Sequence, residues 1–268
     1  MSLVYSQGKE FHIDLAKGEV GRYAILPGDP GRCEKIAQYL ENPRKIAQNR
    51  EYVTYVGELM GERVAVTSTG IGGPSASIAM EELIHCGVDT FIRVGTSGGM
   101  QPEVYGGDLV IATGAVRAEG TTREYAPIEY PAVAHYEVVK ALERAAQEMQ
   151  AKYHVGVVQC KDNFYGQHSP ETMPCHTWLT DRWEAWKACG ALASEMESAA
   201  LFITAAVRRV RMGTVLLVLA NQTRREMGLP DVAVYDTDLA VKTAVAGIGQ
   251  LIQADKNKKS GPPAKPGA

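Results

Sequence analysis

The chain has 268 residues, of which 45% are apolar and 22% charged, with a net charge of -3. That suits one large domain or two small ones with a sizeable core, and the weak negative charge excludes a broad electrostatic footprint for nucleic acid. No apolar run reaches the ~20 residues that span a bilayer, and Met1–Ser6 lacks the basic-then-apolar pattern of a signal segment.

In chain order, Tyr23-Ala24-Ile25-Leu26 predicts a short strand that Pro27-Gly28 ends. Asp29 and Pro30 then predict a helix start, Asp as N-cap and Pro at the first helical position. Cys33, Ile36, Ala37 and Leu40 give that helix its apolar stripe. Arg32 falls in its first turn, where a cation opposes the helix dipole unless an anion binds beside it. Strands are expected over Glu51–Leu59 and Arg63–Ser68. Gly73 and Pro74 open a helix that Gly87 closes.

Phe91 to Met100 begins like a buried strand and ends in a glycine loop, with Arg93 inside the apolar run. Burying an unpaired charge is costly, so Arg93 must meet an anion or a carboxylate. The residues alone leave both options open: an anion site with backbone N–H groups freed by the glycines, or a structural ion pair.

Asp108–Thr113 predicts a further strand, and Glu119–Tyr130 a polar loop. Ala132–Gln150 predicts an amphipathic helix with Tyr136, Val139, Leu142, Ala146 and Met149 on one face. His154–Gln159 reads as a strand, Asn163–His176 as a loop, and Thr177–Cys189 as a helix stopped by Gly190. Ala199–Val207 is apolar nearly all round, a helix buried on most sides. Thr214–Ala220 is a strand buried on both faces. Thr237–Ile252 is the last predicted helix, and the Lys-, Pro- and Gly-rich segment from Lys256 to Ala268 is expected to be disordered. Strands alternating with helices, and no linker, predict one α/β domain around a mostly parallel or mixed sheet, with ligands at the carboxyl ends of its strands. Cys33, Cys86, Cys160, Cys175 and Cys189 lack C-x-x-C spacing, so they read as thiols in a reducing cytosol and the expected location is cytoplasmic.

Five motifs occur in order: Pro27-Gly28-Asp29-Pro30-Gly31-Arg32, Asn49-Arg50-Glu51, Ser68-Thr69-Gly70-Ile71-Gly72-Gly73-Pro74-Ser75, Arg93-Val94-Gly95-Thr96-Ser97-Gly98 and Glu195-Met196-Glu197-Ser198. On these the chain resembles the hexameric, bacterial-type nucleoside phosphorylases over about residues 5 to 253, and among them those that cleave uridine. The resemblance implies a single domain over 1–255, a mixed, partly barrel-like sheet flanked by helices, and a tail over 256–268. It implies reversible phosphorolysis: uridine and phosphate give uracil and ribose 1-phosphate, a pentosyl transfer in pyrimidine salvage. Phosphate is then a co-substrate and no organic cofactor is needed. The partners are nucleoside, phosphate and copies of the chain, a homohexamer built as a trimer of dimers and at least a homodimer.

The same resemblance assigns Gly28, Arg32, Arg93 and Thr96 to phosphate, with Arg50 supplied by a neighbouring subunit. Glu197 would accept the ribose hydroxyls, Met196 pack on the sugar, Glu195 supply a second carboxylate, and His12 reach across a dimer interface to the 5′-hydroxyl. Ser97, Gly98, Phe164 and Gln167 would hold the base, with Phe164 stacked on it and Gln167 on its amide edge. Arg93, Glu197 and Gln167 are the catalytic candidates. Glu51, Ile71 and Ser75 match a site for a monovalent cation such as K+ between subunits. The chain departs from the pattern at Ser169 and Gln222, where arginines are expected. His168, Arg224 or Arg225 could take over stabilising an anionic base. Purine-cleaving relatives place Ser-Asp where this chain has Asn221-Gln222, which favours a pyrimidine. The alternatives are a purine nucleoside phosphorylase or a non-catalytic nucleoside-binding protein on the same fold.

Overall fold

A computed structural model describes residues 4–6 and 8–260. Its strands are β1 Val4–Ser6, β2 Lys9–Glu10, β3 Tyr23–Pro27, β4 Glu41–Asn49, β5 Tyr52–Leu59, β6 Glu62–Thr67, β7 Thr90–Gly99, β8 Leu109–Ala118, β9 Ala132–Val133, β10 Tyr153–Lys161, β11 Ala193–Glu195 and β12 Arg211–Asn221. Its helices are α1 Gly31–Ala37, α2 Gly73–Cys86, α3 Thr121–Tyr125, α4 Tyr136–Glu148, α5 Phe164–His168, α6 His176–Ala188, α7 Ser198–Arg208, α8 Gln222–Glu226 and α9 Asp238–Ser260.

A ten-stranded mixed sheet runs β11-β10-β8-β12-β7-β3-β6-β5-β4, with β9 beside β8. β11 also pairs with β7, so β7, β12, β8, β10 and β11 close into a five-stranded barrel. β3, β7 and β12 run parallel, as do β8 and β10; β3, β7 and β12 are buried along nearly their whole length because both faces are covered, whereas the first half of β10 is partly exposed. One core cluster lies under α2 and α7, with Met80, Phe91 and Phe202 fully buried. The other lies under α1, α4 and α9, with Ile25, Ile92 and Ile248. The α/β class and the mixed sheet with a barrel portion are as expected.

Several local expectations change. β4 was not foreseen, because Glu41 to Lys45 at this sheet edge are exposed and carry no alternating apolar pattern. The segment 163–176 contains α5, started by the Asn163 side chain, whose Oδ1 accepts from Gly166 N at 3.0 Å. Asp29 lies one residue outside the α1 cap, and its Oδ1 accepts from Gly31 N at 2.9 Å instead. Tyr136 faces solvent rather than the core, since it stands at the first turn of α4 beyond the edge of the packed face. α9 continues past Ile252 to Ser260. Lys256 Nζ donates to Met60 O at 2.5 Å and Lys258 pairs with Glu137 at 2.6 Å, so residues 256–260 are helical rather than part of a loose tail. Residues 261–268 lie outside the described residues.

Candidate active site

A cavity of about 1000 Å³ opens at the carboxyl ends of β3, β7, β10 and β12. β7 supplies its floor. Arg93 points inward from the middle of that strand and is 4% exposed. Its Nη2 donates to Glu197 Oε2, and its Nε stands 3.4 Å from Glu195 Oε2 without hydrogen-bond geometry. Nη1 has no partner among the described residues. Of the two options left open by the sequence, the ion pair is present: the guanidinium is carboxylate-paired, while Nε and Nη1 have no hydrogen-bond partner among the described residues. Burial works against its charge, but Glu197 and Glu195 hold its pKa above the ordinary value. Gly95 makes room for it, because a Cβ there would lie 2.9 Å from Arg93 Nη2.

The carboxylates are placed by the closing strand of the barrel. β11 ends at Glu195, whose oxygens accept from the backbone N–H groups of Glu197 and Ser198 at 2.9 Å, capping α7. Glu197 Oε1 accepts from Gly72 N at 2.7 Å, across the cavity. Burial raises the Glu197 pKa, and Arg93 opposes that rise. A carboxylate with one oxygen on a backbone N–H and the other on a guanidinium is fixed in orientation, and its remaining lone pairs can accept from hydroxyls.

Arg32, in the first turn of α1, lines the same cavity. Its side chain makes no hydrogen bond or ion pair within 4 Å among the described residues. Burial, followed by the like charge of Arg93, lowers its pKa against the support of Asp29. Two guanidiniums thus converge, Arg32 without an ion pair among the described residues and Arg93 paired with carboxylates but with Nη1 unpartnered, and Gly28 and Thr96 stand on the same wall. Gly70 brings the facing backbone close: its N donates to Gly28 O at 3.0 Å, and its φ of 66° is one that a side chain would strain.

At the other end stand Ser97, Gly98, Phe164, Gln167 and His168. Phe164 is half exposed, with the His168 ring 4.3 Å from it at 39°. Burial, then the charges of Lys161 and Arg225, lowers the His168 pKa, so the imidazole is neutral near pH 7. Gln167 Oε1 accepts from Ser194 Oγ at 2.7 Å, and its Nε2 donates to Gln222 Oε1 at 3.3 Å. Arg225 reaches the rim but pairs with Asp231 at 2.9 Å.

Three of the sequence candidates stand elsewhere. Arg224 is buried outside the cavity: it donates to Pro230 O at 2.8 Å and Pro102 O at 2.5 Å and lies 4.1 Å over the Tyr105 ring. It braces loops because the first turn of α8, capped by the Asn221 side chain, directs it away. It is not placed to touch a base. His12 and Arg50 also lie off this chain's cavity, near each other, Arg50 over the Phe11 ring at 5.7 Å and Asn49 Nδ2 donating to His12 O at 2.9 Å. His12 Nδ1 is 2.6 Å from Glu82 Oε1, and its Nε2 has no hydrogen-bond partner among the described residues. Glu51, Ile71 and Ser75 border the cavity, with Ser75 Oγ donating to Glu51 Oε1 at 2.8 Å. The residue that the sequence reading missed is Lys161, which ends β10 and lines the cavity wall. The signal was only that the strand could run two residues beyond Gln159.

A model of the Phosphorylase superfamily matches residues 22–248. The uridine phosphorylase of Treponema pallidum (strain Nichols) is 60% identical over 255 residues, covering 95% of this chain and 99% of that protein. The uridine phosphorylase of Escherichia coli (strain K12) is 40% identical over 252 residues, 92% of this chain and all of that protein. A guanosine phosphorylase of Halorubrum lacusprofundi is 36% identical over 250 residues, 91% of this chain and 99% of that protein. With the fold, the cavity and these matches in agreement over nearly its whole length, the chain belongs to the phosphorylase superfamily.

Proposed function

We propose that the cavity carries out reversible phosphorolysis of uridine, giving uracil and ribose 1-phosphate. The observation that carries this reading is the pair Arg93 and Arg32, two buried or half-buried guanidiniums with open donors beside two ordered carboxylates. The two uridine phosphorylases named above, the more similar at 60% identity, support uracil as the base over the guanine of the third relative.

The chemistry follows from the wall. Phosphate sits against Arg32, Arg93, Thr96 and Gly28. Guanidiniums suit it because they bind oxyanions bidentately. Glu197 and Glu195 accept from ribose hydroxyls, and Met196 packs against the ring. The sugar passes through an oxocarbenium-like state, as in glycoside hydrolysis. A phosphate oxygen bonds to the anomeric carbon as the bond to the base breaks, and the electron pair leaves with the base. Positioning and preorganised charge supply the acceleration. The acids on the wall, Asp29, Glu51, Glu195 and Glu197, all belong to the phosphate and ribose half or its border. Among the described residues that line this cavity, the wall formed by Phe164 and Gln167 carries amides, an imidazole and Lys161 rather than a carboxyl group, which favours the pyrimidine over a guanosine-type substrate.

His12 and Arg50 complete the site of an adjacent copy, which makes the working unit at least a homodimer and, on the family pattern, a trimer of dimers. Glu51, Ser75 and the Ile71 carbonyl form an oxygen donor set that suits K+ at that junction. No helix among the described residues is long and apolar enough to cross a membrane, and all five cysteines are free thiols. The free thiols suit a reducing compartment and support a cytoplasmic enzyme. The test is release of uracil from uridine with inorganic phosphate, with inosine and guanosine in parallel. Phosphate-dependent uracil release is expected. Release from none of the three, or only from a purine nucleoside, overturns the reading.

A further inference from the structure

We propose that Lys161 is the cation that stabilises the departing base, its ammonium hydrogen-bonding a carbonyl oxygen of the pyrimidine as negative charge builds there. This rests on the phosphorolysis reading above.

Lys161 is 9% exposed and forms part of the cavity wall next to Gln167. An ammonium has three donors. Here one is used: Nζ donates to Ser194 Oγ at 2.5 Å. No carboxylate lies within 4 Å of it among the described residues. Ser194 Oγ in turn donates its hydrogen bond to Gln159 Oε1 at 2.6 Å or Gln167 Oε1 at 2.7 Å. The lysine is therefore wired to the amide that faces the base, with two donors to spare. The placement is built by parallel pairing, since β10 sets Gln159 beside Ser194 and Cys160 beside Glu195, so Lys161 emerges at the barrel mouth. The other cations nearby are accounted for. Arg224 is committed to two carbonyls, Arg225 to Asp231, and His168 is neutral near pH 7.

The groups facing Lys161 are Glu195 and Glu197 across the barrel mouth, Cys160 on its own strand, and His168 on α5. Its register partner on β8, Ala118, is uncharged. Asp162 next to it in sequence, Arg182 and Glu184 of α6 and Glu226 of α8 line the adjoining cavity, which Lys161 also borders. Burial pulls the Lys161 pKa down to about 8, against Glu195, Cys160 and Glu197. The group is thus a cation at neutral pH and becomes neutral as pH rises through that value. A partly desolvated ammonium is a strong donor toward developing negative charge. In the step itself the C1′–N1 bond breaks and its electron pair stays with the base, while a phosphate oxygen bonds to C1′. The charge spreads over N1, O2 and O4. Lys161 keeps its proton in the transition state, and the released base takes one at N1 from water.

The experiment compares the wild-type enzyme with Lys161→Met and Lys161→Arg on uridine and on 5-nitrouridine, whose base is a more stable anion. Lys161→Met should lower kcat on uridine by about 10²- to 10³-fold, the effect of removing one preorganised donor. The deficit should shrink at least about tenfold on 5-nitrouridine, while KM for phosphate stays within about threefold. The wild-type kcat/KM should fall as pH rises through about 8, and Lys161→Arg, which cannot deprotonate, should lose that limb. A kcat on uridine within about threefold of wild type, or an equal loss on both nucleosides, overturns the proposal. If Lys161→Met does not fold, the arginine variant decides: retention of the alkaline limb overturns it. Failure of the wild-type enzyme to cleave either nucleoside overturns the phosphorolysis reading instead.

Discussion

Replacing Arg32 with methionine separates stability from function, because this guanidinium has charge but no structural partner. Its side chain makes no ion pair within 4 Å among the described residues, and burial already disfavours its charged form. Removing it strands no carboxylate. The expected change in folding free energy is therefore within about 0.5 kcal/mol, a shift in thermal midpoint of about 2 °C or less at fixed protein concentration. Bound phosphate loses a charge-assisted hydrogen bond of about 1.5–3 kcal/mol, so kcat/KM for phosphate should fall about 10- to 150-fold. Arg93→Met provides the contrast. It leaves Glu195 and Glu197, both 4% exposed, without their cation. Breaking a buried pair costs about 3–5 kcal/mol, so the midpoint should drop by about 6–20 °C along with the loss of activity. Initial rates at varied phosphate and a thermal melt of each variant make the measurement. An Arg32→Met protein that melts as early as Arg93→Met, or that keeps its phosphate dependence, would refute the argument.

Two further outcomes are expected. Arg224→Ala removes a stack on Tyr105 and uncovers the Pro102 and Pro230 carbonyls. It should cost about 2–4 kcal/mol in a denaturant titration, with kcat/KM on uridine within about threefold of wild type. If sites are shared between copies, Arg50→Gln and Arg93→Ala subunits should each be nearly inactive alone. Refolded together in equal amounts they should regain about a quarter of wild-type activity, because one site in each mixed pair has both native residues. A mixture no better than the sum of its parents would place Arg50 in its own subunit's site.

Much of the cavity was legible in the sequence because its parts are contiguous. Pro27 to Arg32 is a strand end with its turn and first helical residues, and Arg93 to Gly98 lies within the single strand β7, which runs on through the glycines expected to form a loop, so a local pattern carries the geometry. Arg93 also announced itself, since a charge in an apolar strand demands a partner. Lys161 did not, because a lysine between cysteine and aspartate reads as a strand's solvent-facing end. Only the pairing of β10 with β11, which joins segments remote in sequence, turns it into a wall. Arg224 failed in the opposite way. Closeness in sequence to Asn221 suggested the site, but one turn of helix sends the side chain to the loops behind it. β4 escaped notice because an exposed edge strand carries Pro43 and charged residues rather than alternation, a composition that also discourages edge-to-edge association.

The barrel is shut by a very small piece of chain. β11 spans three residues, joined to β7 through Ala193–Gly99 and Ser194–Gly98 and to β10 through Gln159–Ser194 and Cys160–Glu195. Contacts between such distant segments repay their loop-closure entropy late in folding. Glu195 ends this strand and Glu197 follows two residues on, so the carboxylates reach Arg93 only once the barrel is shut. With β11 unpaired, Arg93 would stand without the carboxylates of Glu195 and Glu197. Closure of the barrel and pairing of its buried guanidinium are in this way one event, carried by the same few residues.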